Sequence, residues 1–421
     1  MSSTVSRPLA APKAASRVLF FSYHLPRDEE PGAFRPWMEA RLLQAAGFEV
    51  TVISSGVHYM TGQDTRKSRG WCTEEWAGGI RILKTWGPTD FRRSTWGRLW
   101  HYLAFSCLSG LAALTRVGRV DRVFAGTDPI FIMPVVFLVS QLKRAPLILD
   151  ERDLYPETAI ALGIMRPGWL ATFFFQLQQF FRKKAYGILA ATPGIRDKLR
   201  EYGFGEKVQL LYNADVFLTA GPGRNAPEAS LRQQTGKKFL VGYAGGLGQA
   251  NDVWTILRAA RRLRDDCPDL GFVIIGTGEN LGAYQEYCQQ QRLENVFFVG
   301  ARPRSKTREL IKEIDICLHA YPSHKYFSDA LSSKIFDYQG LGKPVIFSGR
   351  GDTAKLLAAS GGGLSLPPED DRALAAAILQ LWQDENRRRT MAAAAQRWFA
   401  QHVSVAAATQ IIKKVMGYGT A

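Results

Sequence analysis

The chain has 421 residues, with 54 lysines and arginines against 38 acidic residues and a formal net charge of +16. Its 46% hydrophobic and 22% charged residues are the balance of a folded globular protein, which excludes disorder and collagen-like order and, at this length, predicts two or three domains. The 5 cysteines (Cys72, Cys107, Cys267, Cys288, Cys317) are scattered and form no CxxC pair, which argues against a disulfide framework or a cysteine zinc site and makes a reducing compartment the default.

Residues 1–16 are rich in Ser, Ala and Pro without an apolar stretch, and read as a disordered lead rather than a signal peptide. A strand is expected at 17–22 (RVLFFS), a helix near 35–46 and a strand at 49–54 (EVTVIS). Further strands are expected at 122–125, 146–150, 187–191 and 208–212. The apolar runs at 102–114 and 130–139 fall short of the roughly 18–20 residues of a spanning helix. Residues 216–236 are loose and Gly/Pro/Ala/Gln-rich, the composition of a linker. Strands then restart at 238–243, 272–275, 296–299, 314–318 and 344–347, with helices near 252–264, 280–291, 305–313, 331–341 and 371–383. This β-loop-α alternation predicts two doubly wound, Rossmann-like α/β domains, 17–215 and 237–390, facing across a cleft with ligands at the strands' carboxyl ends. Helices in 391–421 are expected to pack back on the first domain.

The strand at 238–243 runs into Ala244-Gly245-Gly246-Leu247-Gly248 before a helix near Asp252. Ile275-Gly276-Thr277-Gly278-Glu279 and Val299-Gly300-Ala301-Arg302-Pro303 follow the next two strands. Glycines between a strand and a helix let backbone N–H groups approach phosphate oxygens, helped by the helix dipole, and three such turns on one rim suit a nucleotide. Tight turns packed for structure alone have the same composition. The spacing does not match G-x-G-x-x-G, and GxxxxGK[ST] is absent, which argues against dehydrogenases and P-loop enzymes. In 318–347 (LHAYPSHKYFSDALSSKIFDYQGLGKPVIF), Ser332 and Ser333 are natural N-caps for a helix carrying Lys334 and Asp337. Carboxylates at Asp329 and Asp337 can each accept two sugar hydroxyls; solvated surface acids are the alternative.

Asp329 and Asp337 stand where the E-x7-E acids lie in retaining GT-B glycosyltransferases of family 4, and SSKIFDYQGLGKPV resembles that family's PSK…EY…GKPV stretch. The resemblance spans about residues 17–400 and implies the GT-B fold, a nucleotide-diphosphate sugar donor, retention of configuration, and neither a cofactor nor a metal. It implies Asp329 as the donor-sugar contact, Asp337 as the ribose contact, and Ala330, Leu331 and Ser332 as amide donors to the diphosphate. Gly245, Gly246 and Gly248 would face the diphosphate, with Gly278 and Arg302 at the base. Aspartate replaces both glutamates here. The usual Arg and Lys after the first glycine turn are missing, leaving Lys325 or Lys334 to neutralise charge.

On the first domain, 149–162 (LDERDLYPETAIAL) is similar to the EVRDLWPES-type segment of a bacterial subgroup that builds surface polysaccharides and lipid-linked glycans. Asp153 or Glu157 could then orient or deprotonate an acceptor hydroxyl; alternatively Asp150, Glu151, Arg152 and Asp153 form a structural ion-pair network. Gly32 and Arg35 correspond to the family's acceptor-side glycine loop, while His24 and His101 read as structural. Segments 81–122 and 166–200 each carry a net charge of +6 interleaved with aromatics, a pattern that fits peripheral attachment to an anionic membrane; core packing of the aromatics is the alternative. The expectation is a glycosyltransferase at the cytoplasmic face of a membrane, acting on a lipid-linked or glycan acceptor and not on nucleic acid. The alternatives are a same-fold nucleotide-sugar epimerase, an inactive relative, and a basic nucleic-acid-binding protein, the last opposed by the absence of HTH, RRM or zinc-finger signatures.

Overall fold

The computed structural model describes residues 16–27, 34–91, 94–161, 163–217, 230–323 and 330–418. The chain divides into two compact units, Met1–Asn213 with Val405–Ala421, and Ala214–Ser404.

Unit 1 runs β1 (Arg17–Phe21), α1 (Arg35–Ala45), β2 (Glu49–Ser55), β3 (Cys72–Ala77), β4 (Ile80–Thr85), α2 (Thr95–Thr115) and β5 (Arg122–Gly126). It continues through α3 (Met133–Leu142), β6 (Leu147–Glu151), α4 (Glu157–Ala161), α5 (Trp169–Lys184), β7 (Gly187–Ala190), α6 (Pro193–Leu199) and β8 (Val208–Leu210). The eight strands are ordered β3-β4-β2-β1-β5-β6-β7-β8, all parallel except β3, which pairs antiparallel with β4. Strand β1, buried but for Arg17, and the fully buried β5 lie at its centre, the pattern expected of a sheet covered on both faces. Local chemistry sets the helix starts: Ser94 Oγ accepts the Gly97 amide at α2 (2.9 Å), and Thr192 caps α6. The β3–β4 pair was not expected from the sequence, because β3 (CTEEWA) is a polar edge strand without clean alternation.

Unit 2 contains α7 (Leu231–Thr235), β9 (Phe239–Ala244), α8 (Val253–Leu263), β10 (Leu270–Ile275), α9 (Leu281–Gln290), β11 (Val296–Gly300), α10 (Arg304–Glu313) and β12 (Ile316–Ala320). These are followed by α11 (Ser333–Gly340), β13 (Val345–Ser348), α12 (Asp352–Ser360), β14 (Gly363–Leu366), α13 (Asp371–Gln383) and α14 (Glu385–His402). Its six parallel strands are ordered β11-β10-β9-β12-β13-β14, so the sheet reverses direction beside β9, the place where doubly wound sheets bind ligands.

Two differences from the sequence expectation concern connections. Part of the expected linker is ordered: α7 carries a capping box in which Ser230 and Gln233 satisfy each other's amides, and residues 218–229 lie outside the described set. The expected return of 391–421 to the first domain holds only for its last part. Helix α14 packs in unit 2, with buried Met391 and Ala395 and with Phe399 against Gly340 of α11. Only α15 (Val405–Val415) joins unit 1, where Val415 lies against Gly187 and Arg122 Nε donates to Met416 O (3.0 Å).

Candidate active site

In unit 2 the three glycine turns form one rim because they bond to each other. Gly245 N donates to Ile275 O (2.8 Å), Leu247 N to Thr277 O (3.0 Å) and Gly276 N to Gly300 O (3.0 Å). The glycines have different reasons for being glycine. A Cβ on Gly276 (φ +149°) would meet the Gly245 carbonyl oxygen at 1.9 Å, and one on Gly278 would meet Leu247 backbone at 2.5 Å. These two, Gly278 among the expected donor residues, hold turn against turn. A Cβ on Gly246 would meet nothing within 4 Å, and one on Gly248 only Glu279 Oε1 at 3.6 Å, so these glycines leave the rim open. Gly245 lies beneath Lys334, whose Cε would be 1.9 Å from an added Cβ.

Lys334 enters from the first turn of α11 and crosses this rim. Its Nζ donates to Asn251 Oδ1 (3.3 Å) and lies 5.8 Å from the centre of the Tyr243 ring, with no salt bridge among the described residues. Burial drives its pKa down to about 8, against the pull of Asp337. Behind it, Tyr243 donates to Gly246 O (2.8 Å), and Tyr338 OH accepts the Ala244 amide (2.9 Å), fixing the β9 exit. His319, buried at the end of β12, stacks between Tyr243 and Phe347, and burial keeps it neutral with a pKa well below its usual value.

Ser332 occupies the N-cap position of α11, but its side chain makes no capping bond. Its amide donates to Thr353 Oγ1 (3.3 Å), and Thr353 in turn donates to Ala330 O (3.1 Å). Of the three amides expected to hold a diphosphate, Ser332's is therefore committed to the fold, while those of Ala330 and Leu331 have no acceptor among the described residues. Asp337 pairs with Arg304 (3.3 Å) and Arg308 (3.4 Å), and Arg308 also pairs with Asp215. Its carboxylate is thus positioned by two guanidinium groups that the sequence offered no reason to single out. Arg302 is exposed beyond β11. Asp329 and Lys325 lie outside the described residues, as does Gly32.

Unit 1 presents a second group of charges at the carboxyl ends of its strands. Arg35 is not on an acceptor-side loop but buried in the first turn of α1. It contacts Asp150 (2.6 Å) and Glu39 (2.9 Å) and donates to Leu211 O (2.8 Å). Arg152 completes the cluster through Asp150 (2.6 Å) and Glu39 (3.1 Å). The two arginines overcome burial to keep Asp150 ionised, whereas burial beside Asp150 pushes the Glu39 pKa up. Glu151 is buried against Arg182 (3.0 Å), and Glu157 accepts from Tyr202 OH (2.7 Å). Asp150, Glu151 and Arg152 therefore do form structural ion pairs, and Glu157 is tied to α6's extension. Asp153 remains exposed at the rim. Its neighbour Asp128, to which no sequence pattern points, has a pKa pushed up to about 7 by burial first and then by Asp153. His101 is structural, its Nδ1 donating to Pro88 O (2.8 Å).

Many cations of the two expected membrane segments are engaged. Arg81 pairs with Glu74, Lys84 with Glu75, Arg182 with Glu151, and Arg196 and Arg200 with Asp197. The aromatics divide: Phe91, Phe105 and Phe181 are core, whereas Trp86, Trp96, Trp100, Trp169, Phe173 and Phe180 are exposed. Arg92 and Arg93 lie outside the described residues. Among the described residues, no helix is long and apolar enough to cross a membrane, and no group of three His, Cys, Asp or Glu could hold a metal ion.

Two Rossmann-like units, each built on a parallel sheet, define the GT-B class. The solved structure of Anabaena Alr3699/HepE in complex with UDP matches with a TM-score of 0.65 at 16% identity, covering 95% of this chain and 99% of that one. Residues 35–214 match the family described as "Glycosyl transferase 4-like domain" and residues 228–398 the family "Glycosyl transferases group 1". The chain belongs to this family of GT-B, family 4-like glycosyltransferases. It is 24% identical over 312 residues to a protein of Escherichia coli K12 named as the colanic acid biosynthesis glycosyl transferase WcaI, covering 71% of this chain and 75% of that protein. It is 27% identical over 154 residues to a Bacillus subtilis protein named as the teichuronic acid biosynthesis glycosyltransferase TuaH, covering 36% of each.

Proposed function

We propose that this glycosyltransferase takes a nucleotide-diphosphate sugar on the unit 2 rim and transfers the sugar, with retention, to a lipid-linked or glycan acceptor in bacterial surface polysaccharide or glycoconjugate synthesis. The observation that carries the reading is Lys334. A cation laid across an open glycine rim, beside the start of α11 and without an ion-pair partner among the described residues, is arranged for an anion. The UDP bound to Alr3699/HepE and the polysaccharide pathways in the names of WcaI and TuaH support the donor class and the pathway class.

In this reading the departing diphosphate is stabilised by Lys334 and by the amides of Gly246, Gly248, Ala330 and Leu331, with neither metal nor cofactor. Asp337, steadied by Arg304 and Arg308, accepts from the ribose; the roles of Asp329 and Lys325 rest on the family resemblance alone. On unit 1, Asp153 and Asp128 are the carboxyl groups placed to orient an acceptor hydroxyl, and Arg152 the cation beside them. The attacking hydroxyl meets the anomeric carbon on the face the diphosphate leaves, so that configuration is kept. Attachment to an anionic membrane would bring a lipid-linked acceptor to this rim.

Calorimetric titration of the full chain with a panel of nucleoside diphosphates and their sugars tests the proposal. One nucleoside diphosphate should bind and raise the melting temperature, and Lys334→Met should abolish both effects. No binding by any of them at millimolar concentration would sink the donor assignment.

A further inference from the structure

The outer layer of unit 1 leaves a large apolar surface uncovered. The steps β4 to β5, β5 to β6 and β6 to β7 all run the same way across the sheet, whereas β1 to β2 runs the other way. Right-handed crossovers therefore put α2, α3 and α5 on one face of the sheet and α1 on the opposite face. The inner sides of the three helices are core, through Phe105, Ala112, Met133, Val136 and Phe181. They also lock to each other. Val135 of α3 sits 2.5 Å from where a Cβ on Gly110 of α2 would be, and Phe137 meets Phe180 of α5 edge-on at 5.4 Å.

Their outer sides are apolar as well. Along α2, Trp96, Trp100, Leu103, Cys107, Leu111 and Leu114 recur at steps of three and four residues and all are exposed, Trp96 to 80%. Helix α3 adds exposed Leu138 and Leu142, and α5 adds Trp169 (81% exposed), Phe173 and Phe180. A stripe of this period and width belongs in a core or an interface. None of the three helices contains an aspartate or a glutamate, and Arg98, Lys183 and Lys184 are exposed along them.

We infer that this three-helix face is inserted into the interfacial layer of a lipid bilayer, with α2, α3 and α5 lying in the membrane plane. The inference rests on the membrane attachment proposed above and changes its physics. With Arg81, Lys84, Arg182, Arg196 and Arg200 already paired within the protein, apolar burial outweighs electrostatic attraction. A second copy of the chain is the poorer occupant. Two-fold pairing of this face would set its cations against one another with no carboxylate on the helices between them, whereas anionic headgroups complement them. The face is also oriented: α2 follows β4 and α5 lies between β6 and β7, so the tryptophan-bearing starts of both helices sit at the carboxyl ends of the sheet, the rim of Asp128 and Arg152. A lipid-borne acceptor would reach that rim without leaving the bilayer surface.

Vesicle co-sedimentation of the full chain separates the possibilities. Phosphatidylcholine vesicles with and without phosphatidylglycerol are used at low and high salt, and tryptophan quenching by brominated phosphatidylcholine reports depth. Insertion predicts that binding persists at high salt and that brominated lipid quenches the emission. Trp96→Ser with Trp169→Ser should weaken partition on the order of tenfold per ring and remove most of the quenching, with nucleotide binding and circular dichroism unchanged. Full release by salt without quenching would overturn insertion in favour of surface attraction, and a vesicle-indifferent dimer abolished by the same substitutions would assign the face to a second copy. Nucleotide binding, measured on the same samples, reports separately on the donor reading.

Discussion

Lys334 holds its charge where charge is costly. A lysine amine ordinarily keeps its proton to about 10.5, whereas this one releases it at about 8 because burial outweighs the pull of Asp337. The unfolded chain therefore binds more protons than the folded one between those values, so the residue's penalty on stability is fullest below pH 8 and fades as pH rises through that window. Replacing it with methionine should raise the melting temperature of the unliganded protein at neutral pH while removing the shift caused by a nucleoside diphosphate. A bound diphosphate needs the charged amine, so in the unsubstituted protein affinity should fall as pH rises above about 8, and isothermal titration across that range measures the slope. The neighbouring glycines make a second, paired prediction. In Gly245→Ala the new methyl meets the far end of Lys334 and crowds the Tyr243 hydroxyl, so donor affinity should drop, with a smaller loss of stability than at Gly276. In Gly276→Ala it meets a backbone carbonyl at a positive φ, and urea unfolding should show a loss of about 2–3 kcal/mol or more. From sequence these two residues look alike; only the turn-on-turn packing separates them. Asp128 was equally illegible, since a lone aspartate before a proline has no pattern of its own, and its elevated pKa comes from burial first and then from Asp153 on another strand's exit.

Among the elements, α11 with its approach is the one on which the candidate site depends most. Its N-terminus is held not by Ser332's own side chain but by Thr353 of α12, which bonds both the Ser332 amide and the Ala330 carbonyl. Thr353→Val keeps the shape and leaves both groups unsatisfied, which should cost about 1–3 kcal/mol in denaturant unfolding and weaken nucleotide binding together. Most of unit 2's strands and helices were readable, because apolar strands, three of them running into glycine turns, alternate with amphipathic helices. Helix α12 and strand β14 were not expected: the first starts after Gly351 with no side-chain cap, and the second (GLSL) is a short edge strand with little β-branched content. The polar segment before α11 was legible as a candidate site only through its family pattern, whereas the cations that position Asp337 were not, since Arg304 and Arg308 lie on α10 and look like an ordinary solvated face.

For the whole molecule, the division into two sheets follows from the alternation itself, but the path of the end of the chain does not. Helix α14 is rich in Ala and Arg and gives no hint of its partner, yet it closes unit 2, and α15 alone completes unit 1. There Arg122 sits between the rings of Tyr186 and Tyr418 (5.6 and 5.1 Å) and bonds the Met416 carbonyl, while Phe48 meets Tyr418 at 5.3 Å. Ending the chain at Ser404 should therefore unfold unit 1, seen as an early, separate transition in calorimetry, while unit 2 keeps its melting and its nucleotide binding. The apolar α2 stripe shows the same limit of sequence reading. Its heptad spacing is that of a buried seam, and only the sheet order turns it outward.

The late arrival of α15 also sets an order of assembly. A ribosome releases the strands of unit 1 first, but the helix that covers Gly187 and Arg122 emerges only after all of unit 2 has been made. The half of the molecule translated first is thus the half completed last. Throughout synthesis its sheet lacks the cover of α15, leaving a nascent chain with reason to meet a chaperone before it is finished.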